Sequence, residues 1–282
     1  MQESETRRIT ARTSVAAVIG HPVGQSLSPV IHNVGFGSTG VDWTYVAIDV
    51  PVSGLAAFMS SFAQSSLAGL SVTMPHKKAM AGFMDWIDPI AVSLESINTV
   101  VKVDGALHGH STDGDGLCDA LRAADVDIAG ASILLLGAGG ASRSIADALG
   151  RCSAGTIGVH NRTESAATSM LSVGGATMRV VTSADLPNAI EEADIVINAT
   201  SVGMGTSESP IGNLPLSSHQ TVVDIVYHPL ETALLAHARR SGCRTVDGLQ
   251  MLVHQAVRQQ VLWTGHAPDA RTMIAAAKQA LA

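Results

Sequence analysis

Residues Ile133 to Ser142 read ILLLGAGGAS, and Asn161-Arg162-Thr163 follow one helix and one strand later. The apolar run Ile133-Leu134-Leu135-Leu136 has the length and continuity of a strand buried on both faces of a parallel sheet. Gly137, Gly139 and Gly140 form a turn after it, and Ile145, Ala146, Ala148 and Leu149 carry helical spacing beyond. Strand, glycine turn and helix together make an anion cradle. Glycine lets the backbone approach a pyrophosphate, and the free N–H groups of the helix start face its charge. The spacing is GxGxxS, with Ser142 where a third glycine is usual, so the turn does not establish a dinucleotide site by itself.

The strand Thr156 to His160 adds the second half of the signal. A fold of this kind that prefers NAD ends this strand in an acid, which bonds the ribose 2′-hydroxyl. Here it ends in Asn161-Arg162-Thr163. A carboxylate there would repel a 2′-phosphate, whereas a guanidinium grips one with paired, charge-assisted hydrogen bonds. The pattern predicts NADP rather than NAD. A solvated loop cation is the plain alternative for Arg162, and the glycine turn upstream argues against it.

Strand patterns recur at 133–136, 156–160, 178–181, 194–199, 221–226 and 243–246. Six such strands alternating with helices predict a doubly wound parallel sheet. The first third also alternates. Strands are expected at Ser14 to Ile19, Trp43 to Asp49 and Leu67 to Met74, and helices near Pro29 to Phe36, over Ser53 to Gln64 and over His76 to Trp86. Thr99 to Val103 and Ala106 to His108 read as a hairpin turning at Asp104-Gly105. The tail is helical over Leu249 to Trp263 and Asp269 to Leu281. The fold class is therefore α/β with two domains, a substrate domain before a dinucleotide domain, and 282 residues suit that count.

Bulk properties exclude several functions. Aromatics are only 3% of the chain, so a core must come from Ala, Val, Ile, Leu and Met. The net charge of −7 argues against nonspecific nucleic-acid binding. No apolar run reaches the roughly 20 residues of a membrane span, and the polar start MQESETRRITART lacks a signal core. Residues 1 to about 13 are expected to be disordered. Cys118, Cys152 and Cys243 are few and widely spaced, which fits free thiols in a reducing cytoplasm. The closest of the eleven histidines are His108 and His110, and no HExxH or acid-rich cluster completes a metal site. The expected partner is a small molecule, handled by a monomer or a homodimer.

Reduction of a ketone by a nicotinamide needs a proton donor beside the carbonyl. Lys77 is the candidate by context, because Val72-Thr73-Met74-Pro75-His76-Lys77 places it at a strand-to-helix corner. Lys78 is expected to face solvent. Asp113, in Ser111-Thr112-Asp113-Gly114, lies just before the dinucleotide domain, and an acid near a lysine holds its ammonium in place. Taken singly, Lys77 also reads as a surface lysine and Asp113 as a helix cap.

Several further motifs resemble the shikimate dehydrogenase family, in order and from about Val18 to Gly265. Gly20-His21-Pro22 and Ser26-Leu27-Ser28-Pro29 resemble its opening substrate loop, and Ser71 to Lys77 its NVTxPxK motif. Ile97-Asn98-Thr99 resembles its VNT motif and Thr112-Asp113-Gly114 its NTDG motif. Gly137 to Arg143 resembles GAGGASR, and Asn161-Arg162-Thr163 the NADP loop. Asn198 to Ser201, Asp224 to Pro229, Gly248 to Leu252 and Gln255-Ala256 match as well.

The resemblance implies roles. Ser26, Ser28 and Tyr227 would bind a substrate carboxylate, and Thr73, Asn98, Asp113 and Gln255 the ring hydroxyls. Lys77 with Asp113 would relay the proton while NADPH reduces the C3 carbonyl of 3-dehydroshikimate to give shikimate. Gly137, Ala138, Gly139, Gly140 and Ala141 would hold the pyrophosphate and Arg162, between Asn161 and Thr163, the 2′-phosphate. Ile225 and Gly248 would lie near the nicotinamide. The implied domains are 1–112 for substrate, 113–247 for NADP, and C-terminal helices over 248–282 returning to the substrate domain.

Four positions depart from the pattern. Ser71 and Ser111 replace asparagines, which shortens two polar side chains near the expected substrate and leaves room for a bridging water. Gln25 replaces a histidine. Ala166 replaces a second basic residue, which should weaken the grip on a 2′-phosphate. A quinate/shikimate or aminoshikimate dehydrogenase is the related alternative. The intact Ser26-Leu27-Ser28 and Arg162 argue against it. A non-catalytic regulatory homologue would be expected to lack Lys77 or Asp113, and both are present.

Overall fold

A computed structural model describes residues 9–173 and 177–281. The expectation of a disordered start falls partly on residues 1–8, outside the described residues. Residues 9–13 make a turn, with Thr13 N donating to Thr10 O at 3.1 Å. The chain divides into two compact units, one of residues 1–112 with 256–282 and one of residues 113–255.

The first unit runs β1 (Ser14–Gly20), α1 (Ser28–Thr39), β2 (Trp43–Asp49), α2 (Leu55–Gln64), β3 (Leu67–Val72), β4 (Trp86–Ile87), α3 (Pro89–Leu94), β5 (Thr99–Val103) and β6 (Ala106–His110). Among the described residues these form a six-stranded mixed sheet in the order β2-β1-β3-β5-β6-β4. β1 lies parallel between β2 and β3, and β5 pairs antiparallel with β3 and β6. One face packs Ile19, Leu70, Val72 and Val100 against Met59 and Phe62 of α2. The other packs Val18 and Tyr45 against Phe36 and Trp263. Each such side chain contributes about 1.5–3 kcal/mol on burial. Four of the chain's nine Phe, Trp and Tyr residues, Phe36, Trp43, Tyr45 and Trp263, gather there around His32.

The expected helix over His76 to Trp86 does not form. A single 3₁₀ stretch covers Ala79–Phe83. Asp85 then captures the chain for the sheet, its N–H donating to Leu107 O at 2.9 Å and its carboxylate accepting from Leu107 N at 2.7 Å. Those bonds place Trp86 and Ile87 beside β6. β3 ends at Val72 rather than Met74, and Thr73 N turns to Ile19 O at 2.9 Å.

The second unit runs α4 (Asp113–Ala123), β7 (Ser132–Leu136), α5 (Gly140–Arg151), β8 (Thr156–His160), α6 (Glu164–Thr168), β9 (Thr177–Val180), α7 (Leu186–Glu191), β10 (Ile195–Asn198), β11 (Thr221–Asp224), α8 (Ala233–Arg240) and β12 (Arg244–Val246). Its strands are all parallel, in the order β12-β11-β10-β7-β8-β9. This is the doubly wound arrangement, with the order reversing between β7 and β10, where such folds bind ligands beyond the strand ends. Ile133 to Leu136 are all at most 2% exposed, as a strand covered on both faces requires. Asp113 is the first residue of α4. A Cβ on Gly114 would strike the Ser144 carbonyl, so glycine allows α4 to lie against α5.

The chain ends in α9 (Gly248–Thr264) and α10 (Ala270–Leu281). The division between the units falls within α9, later than the boundary expected at 247/248. α10 packs on α1. No helix among the described residues is long and apolar enough to cross a membrane.

Candidate active site

In the first unit, three chain segments meet at the ends of β1 and β3. His21 N donates to Met74 O at 3.0 Å and Thr73 N to Ile19 O at 2.9 Å, which stitches the loop after β1 to the loop after β3. Val72 N donates to Asn98 O at 2.8 Å and Ile97 N to Lys77 O at 3.0 Å, which adds the segment before β5. Gly20 is required, because a Cβ there would strike Thr73 Cγ2 and lie 2.8 Å from Met74 O. His76 is buried and its Nε2 bonds Val50 O at 2.6 Å. Ser26, Ser28, Thr73, Lys77 and Asn98 are thereby held in neighbouring, mutually bonded segments.

Their side chains differ in setting. Ser28 N donates to Ser26 Oγ at 3.2 Å, which fixes the two serines at the start of α1. Lys77 is half-buried, whereas Lys78 is exposed and pairs with Glu95 at 2.7 Å. Asn98 is 2% exposed. Its Oδ1 accepts from Thr112 N at 2.9 Å and Thr99 Oγ1 at 2.8 Å, so the amide orientation is set from both sides.

Ser71 corrects the expectation of a water-filled gap. Its hydroxyl accepts from Tyr45 OH at 2.6 Å and donates to Gln259 Oε1 at 2.7 Å. Gln259 Nε2 donates to Thr99 Oγ1 at 2.9 Å and Asn98 O at 3.1 Å. Tyr45 also meets the Ser28 side chain, and burial keeps its hydroxyl protonated. His32 stacks on Tyr45 at 4.1 Å between ring centroids, and burial drives its pKa down to about 3, leaving a neutral ring. One buried network thus runs from Ser28 through Tyr45, Ser71 and Gln259 to Asn98. Sequence reasoning missed Tyr45 and Gln259. The available signal for Gln259 was its place one helical turn after Gln255. The Ser111 hydroxyl is buried without a hydrogen-bond partner among the described residues.

In the second unit the glycine turn lies beside the end of β8, with Gly137 N donating to His160 O at 2.8 Å. Gly137 has φ +111°, a region that disfavours other residues, and a Cβ there would crowd Ala199 O at 3.0 Å. Gly139 and Gly140 are exposed, and a Cβ on either would meet nothing within 4 Å. Gly139 caps α5 without a side-chain bond, so the helix start presents backbone N–H groups. Arg162 is exposed, and Asn161 Nδ2 donates to Thr163 O at 3.0 Å to shape the loop around it. Open backbone at a helix start beside an exposed guanidinium fits a dinucleotide with a 2′-phosphate.

The motifs at Asn198 and Asp224 form a buried cross-link between the ends of β10 and β11. Asn198 Nδ2 donates to Asp224 Oδ1 at 2.9 Å, and Asn198 Oδ1 accepts from Thr200 N at 3.1 Å and Thr200 Oγ1 at 2.7 Å. Asp224 also accepts from Val226 N at 3.0 Å and Thr232 Oγ1 at 2.7 Å. Burial raises its pKa against the pull of those donors. The cross-link fixes the loop that carries Ile225 and Tyr227. Tyr227 is half-buried, and burial raises its pKa, so it remains a neutral donor. Gly248 packs directly on this loop. A Cβ there would strike Ile225 O and lie 2.6 Å from Val226 O. Gly116 of α4 similarly admits Gln255, whose N would lie 2.6 Å from a Cβ.

Residues 18–100 match the shikimate dehydrogenase substrate binding domain, residues 120–211 the shikimate/quinate 5-dehydrogenase domain, and residues 248–278 the shikimate 5′-dehydrogenase C-terminal domain. A shikimate dehydrogenase (NADP(+)) of Moorella thermoacetica is 38% identical over 97% of this chain and 96% of its own. The structure of Thermus thermophilus shikimate 5-dehydrogenase in complex with NADP(H) and shikimate superposes with a TM-score of 0.88, at 35% identity, over 95% of this chain and all of that one. A ligand-free 5-ketofructose reductase of a Gluconobacter species gives a TM-score of 0.89 at 30% identity, over 96% of this chain and all of that one. Full-length identity at this level, with three family domains matched in order along the chain, means that the chain belongs to the shikimate dehydrogenase family.

Proposed function

We propose that this protein is a shikimate dehydrogenase, catalysing the reversible NADPH-dependent reduction of 3-dehydroshikimate to shikimate in the synthesis of chorismate and the aromatic amino acids. The observation that carries this reading is the stitching of the Ser26, Thr73, Lys77 and Asn98 segments into one bonded surface. NADPH, when bound, supplies the hydride.

The chain's own residues do the rest. Ser26, Ser28 and Tyr227 offer neutral hydroxyl donors to the substrate carboxylate. Neutral donors suit an anion in a protein of net charge −7, because they bind it without a counter-charge that must itself be desolvated. Thr73, Asn98, Asp113 and Gln255 position the ring hydroxyls. Asn98 is held by Thr112 and Thr99, its Oδ1 accepting from Thr112 N and Thr99 Oγ1 and its Nδ2 donating to Thr112 Oγ1 at 3.0 Å. Lys77, with Asp113, delivers a proton to the carbonyl oxygen and recovers it in reverse. Gly137, Ala138, Gly139, Gly140 and Ala141 hold the pyrophosphate, Arg162 with Asn161 and Thr163 the 2′-phosphate, and Ile225 and Gly248 flank the nicotinamide. The protein acts in the cytoplasm, as a monomer or homodimer, and its three free cysteines suit a reducing compartment.

Steady-state assays on shikimate and quinate with NADP and NAD test the reading, with 5-ketofructose as a further arm. The highest kcat/KM is expected for shikimate with NADP. A preference for quinate or for 5-ketofructose would overturn it. Arg162→Ala is expected to raise the KM for NADPH about 10- to 100-fold, since a charge-assisted hydrogen bond contributes about 1.5–3 kcal/mol. The KM for NADH should change little. Equal effects on both cofactors would remove Arg162 from the 2′-phosphate site.

A further inference from the structure

Two thiols in the second unit have no part in the chemistry above. Cys118 is on α4 and 1% exposed, and Cys152 caps the end of α5 and is half-buried. Their helices are joined through the first turn of α4. Gly114 N donates to Ser144 Oγ at 2.8 Å near the start of α4. Arg151 pairs with Asp115 of α4 at 2.8 Å and Asp147 of α5 at 2.9 Å. Arg122 lies one turn beyond Cys118, on the same helix face. Its guanidinium pairs with Asp119 at 2.9 Å and donates from Nη2 to Cys152 Sγ at 2.9 Å. The Cys118 thiol is itself in hydrogen-bond contact with Cys152. The third cysteine, Cys243, donates to Ser217 O at 3.3 Å.

We propose that Cys118 and Cys152 form a peroxide-reactive dithiol, in which Cys152 is oxidised first and Cys118 then closes a disulfide between α4 and α5.

The two cysteines have complementary settings. Reactive cysteines are partly exposed and sit beside a cation. Cys152 has both features. Cys118 is shielded from a solution oxidant, and burial together with the neighbouring thiol raises its pKa. It reacts only with an electrophile formed beside it. The Cys152 sulfur attacks one oxygen of hydrogen peroxide, the O–O bond breaks, and the thiol proton leaves with the departing hydroxide as water. Cys152 is then a sulfenic acid. The Cys118 sulfur attacks that sulfur, the S–O bond breaks, and hydroxide takes the Cys118 proton as a second water. Two thiols lose two electrons, and one hydrogen peroxide is reduced to two waters. The Arg151–Asp115 salt bridge and the Arg122 hydrogen bond to Cys152 join the two helices and hold them in register for the second step.

The test is peptide mapping of the full chain under non-reducing conditions after hydrogen peroxide treatment, with thiol titration. Titratable thiols are expected to fall from three to one, with a Cys118–Cys152 linked peptide that dithiothreitol releases. In Cys118→Ala, oxidation should stop at Cys152 sulfenic acid, captured by dimedone. Arg122→Gln should slow the oxidation about tenfold, with circular dichroism confirming its fold. The proposal fails if Cys152 in the unsubstituted chain advances to sulfinic acid while Cys118 stays a thiol. It fails equally if Cys243 is oxidised first, or if both Cys118 and Cys152 survive peroxide that oxidises the exposed Met74.

Discussion

Lys77→Ala is expected to lower kcat by about 10²–10⁴-fold, the range for loss of a positioned acid–base group, with the KM for shikimate changed only a few-fold. A carbonyl cannot accept hydride at carbon without charge building on its oxygen, and the proton that quenches that charge must already be in place. The backbone of Lys77 is anchored independently of its side chain, through Ile97 N to Lys77 O at 3.0 Å. Truncation therefore removes the ammonium and leaves the loop. Lys78 cannot substitute, because its side chain is turned to solvent and tied to Glu95 at 2.7 Å. Lys78→Ala is the matched control and should leave kcat unchanged. If Lys77→Ala turns over near the unsubstituted rate at a normal melting temperature, the proton comes from another group.

How far the sequence led differs between the two units for physical reasons. The parallel sheet was legible because a strand buried on both faces must be continuously apolar, and Ile133 to Leu136 are buried as that pattern requires. The glycine turn was legible because Gly137 needs a backbone region that few residues adopt. Neither inference depends on distant residues. The Tyr45–Ser71–Gln259 chain does, since Ser71 and Gln259 are 188 positions apart. Ser71 seemed a shortened side chain, but Tyr45 and Gln259 occupy the space on either side of its hydroxyl. The stretch from His76 to Trp86 was misjudged because its helical spacing is local, whereas Asp85 and Leu107 are joined by tertiary hydrogen bonds. Asp113-Gly114-Asp115-Gly116 carries two glycines, poor helix formers, yet it opens α4. The close approach to Ser144 and Gln255 that those glycines allow outweighs propensity.

Asp224→Ala is expected to destabilise the second unit by about 3 kcal/mol or more, read as a lowered midpoint in urea. Asn198 Nδ2, Val226 N and Thr232 Oγ1 all donate to this carboxylate, and each buried donor left unpaired costs about 1–3 kcal/mol. Relief from burying a carboxyl group offsets part of the loss, and the pH dependence separates the two effects. Burial raises the folded-state pKa of Asp224 above its ordinary value of 3.8, so between those two pH values the native protein holds a proton that the unfolded chain has released. Its contribution is complete below 3.8 and falls as pH rises through the folded-state pKa. The deficit of Asp224→Ala should therefore be largest in acid and narrow toward neutral pH, the opposite of a salt-bridged carboxylate. Thr232→Val, which removes one donor while Asn198 and Val226 remain paired, should cost less. Because Asp224 anchors Val226 between Ile225 and Tyr227, the folded Asp224→Ala protein should also show a raised KM for shikimate. An unchanged midpoint would mean that the donors find other partners and that the Asn198–Asp224 cross-link does not hold this loop.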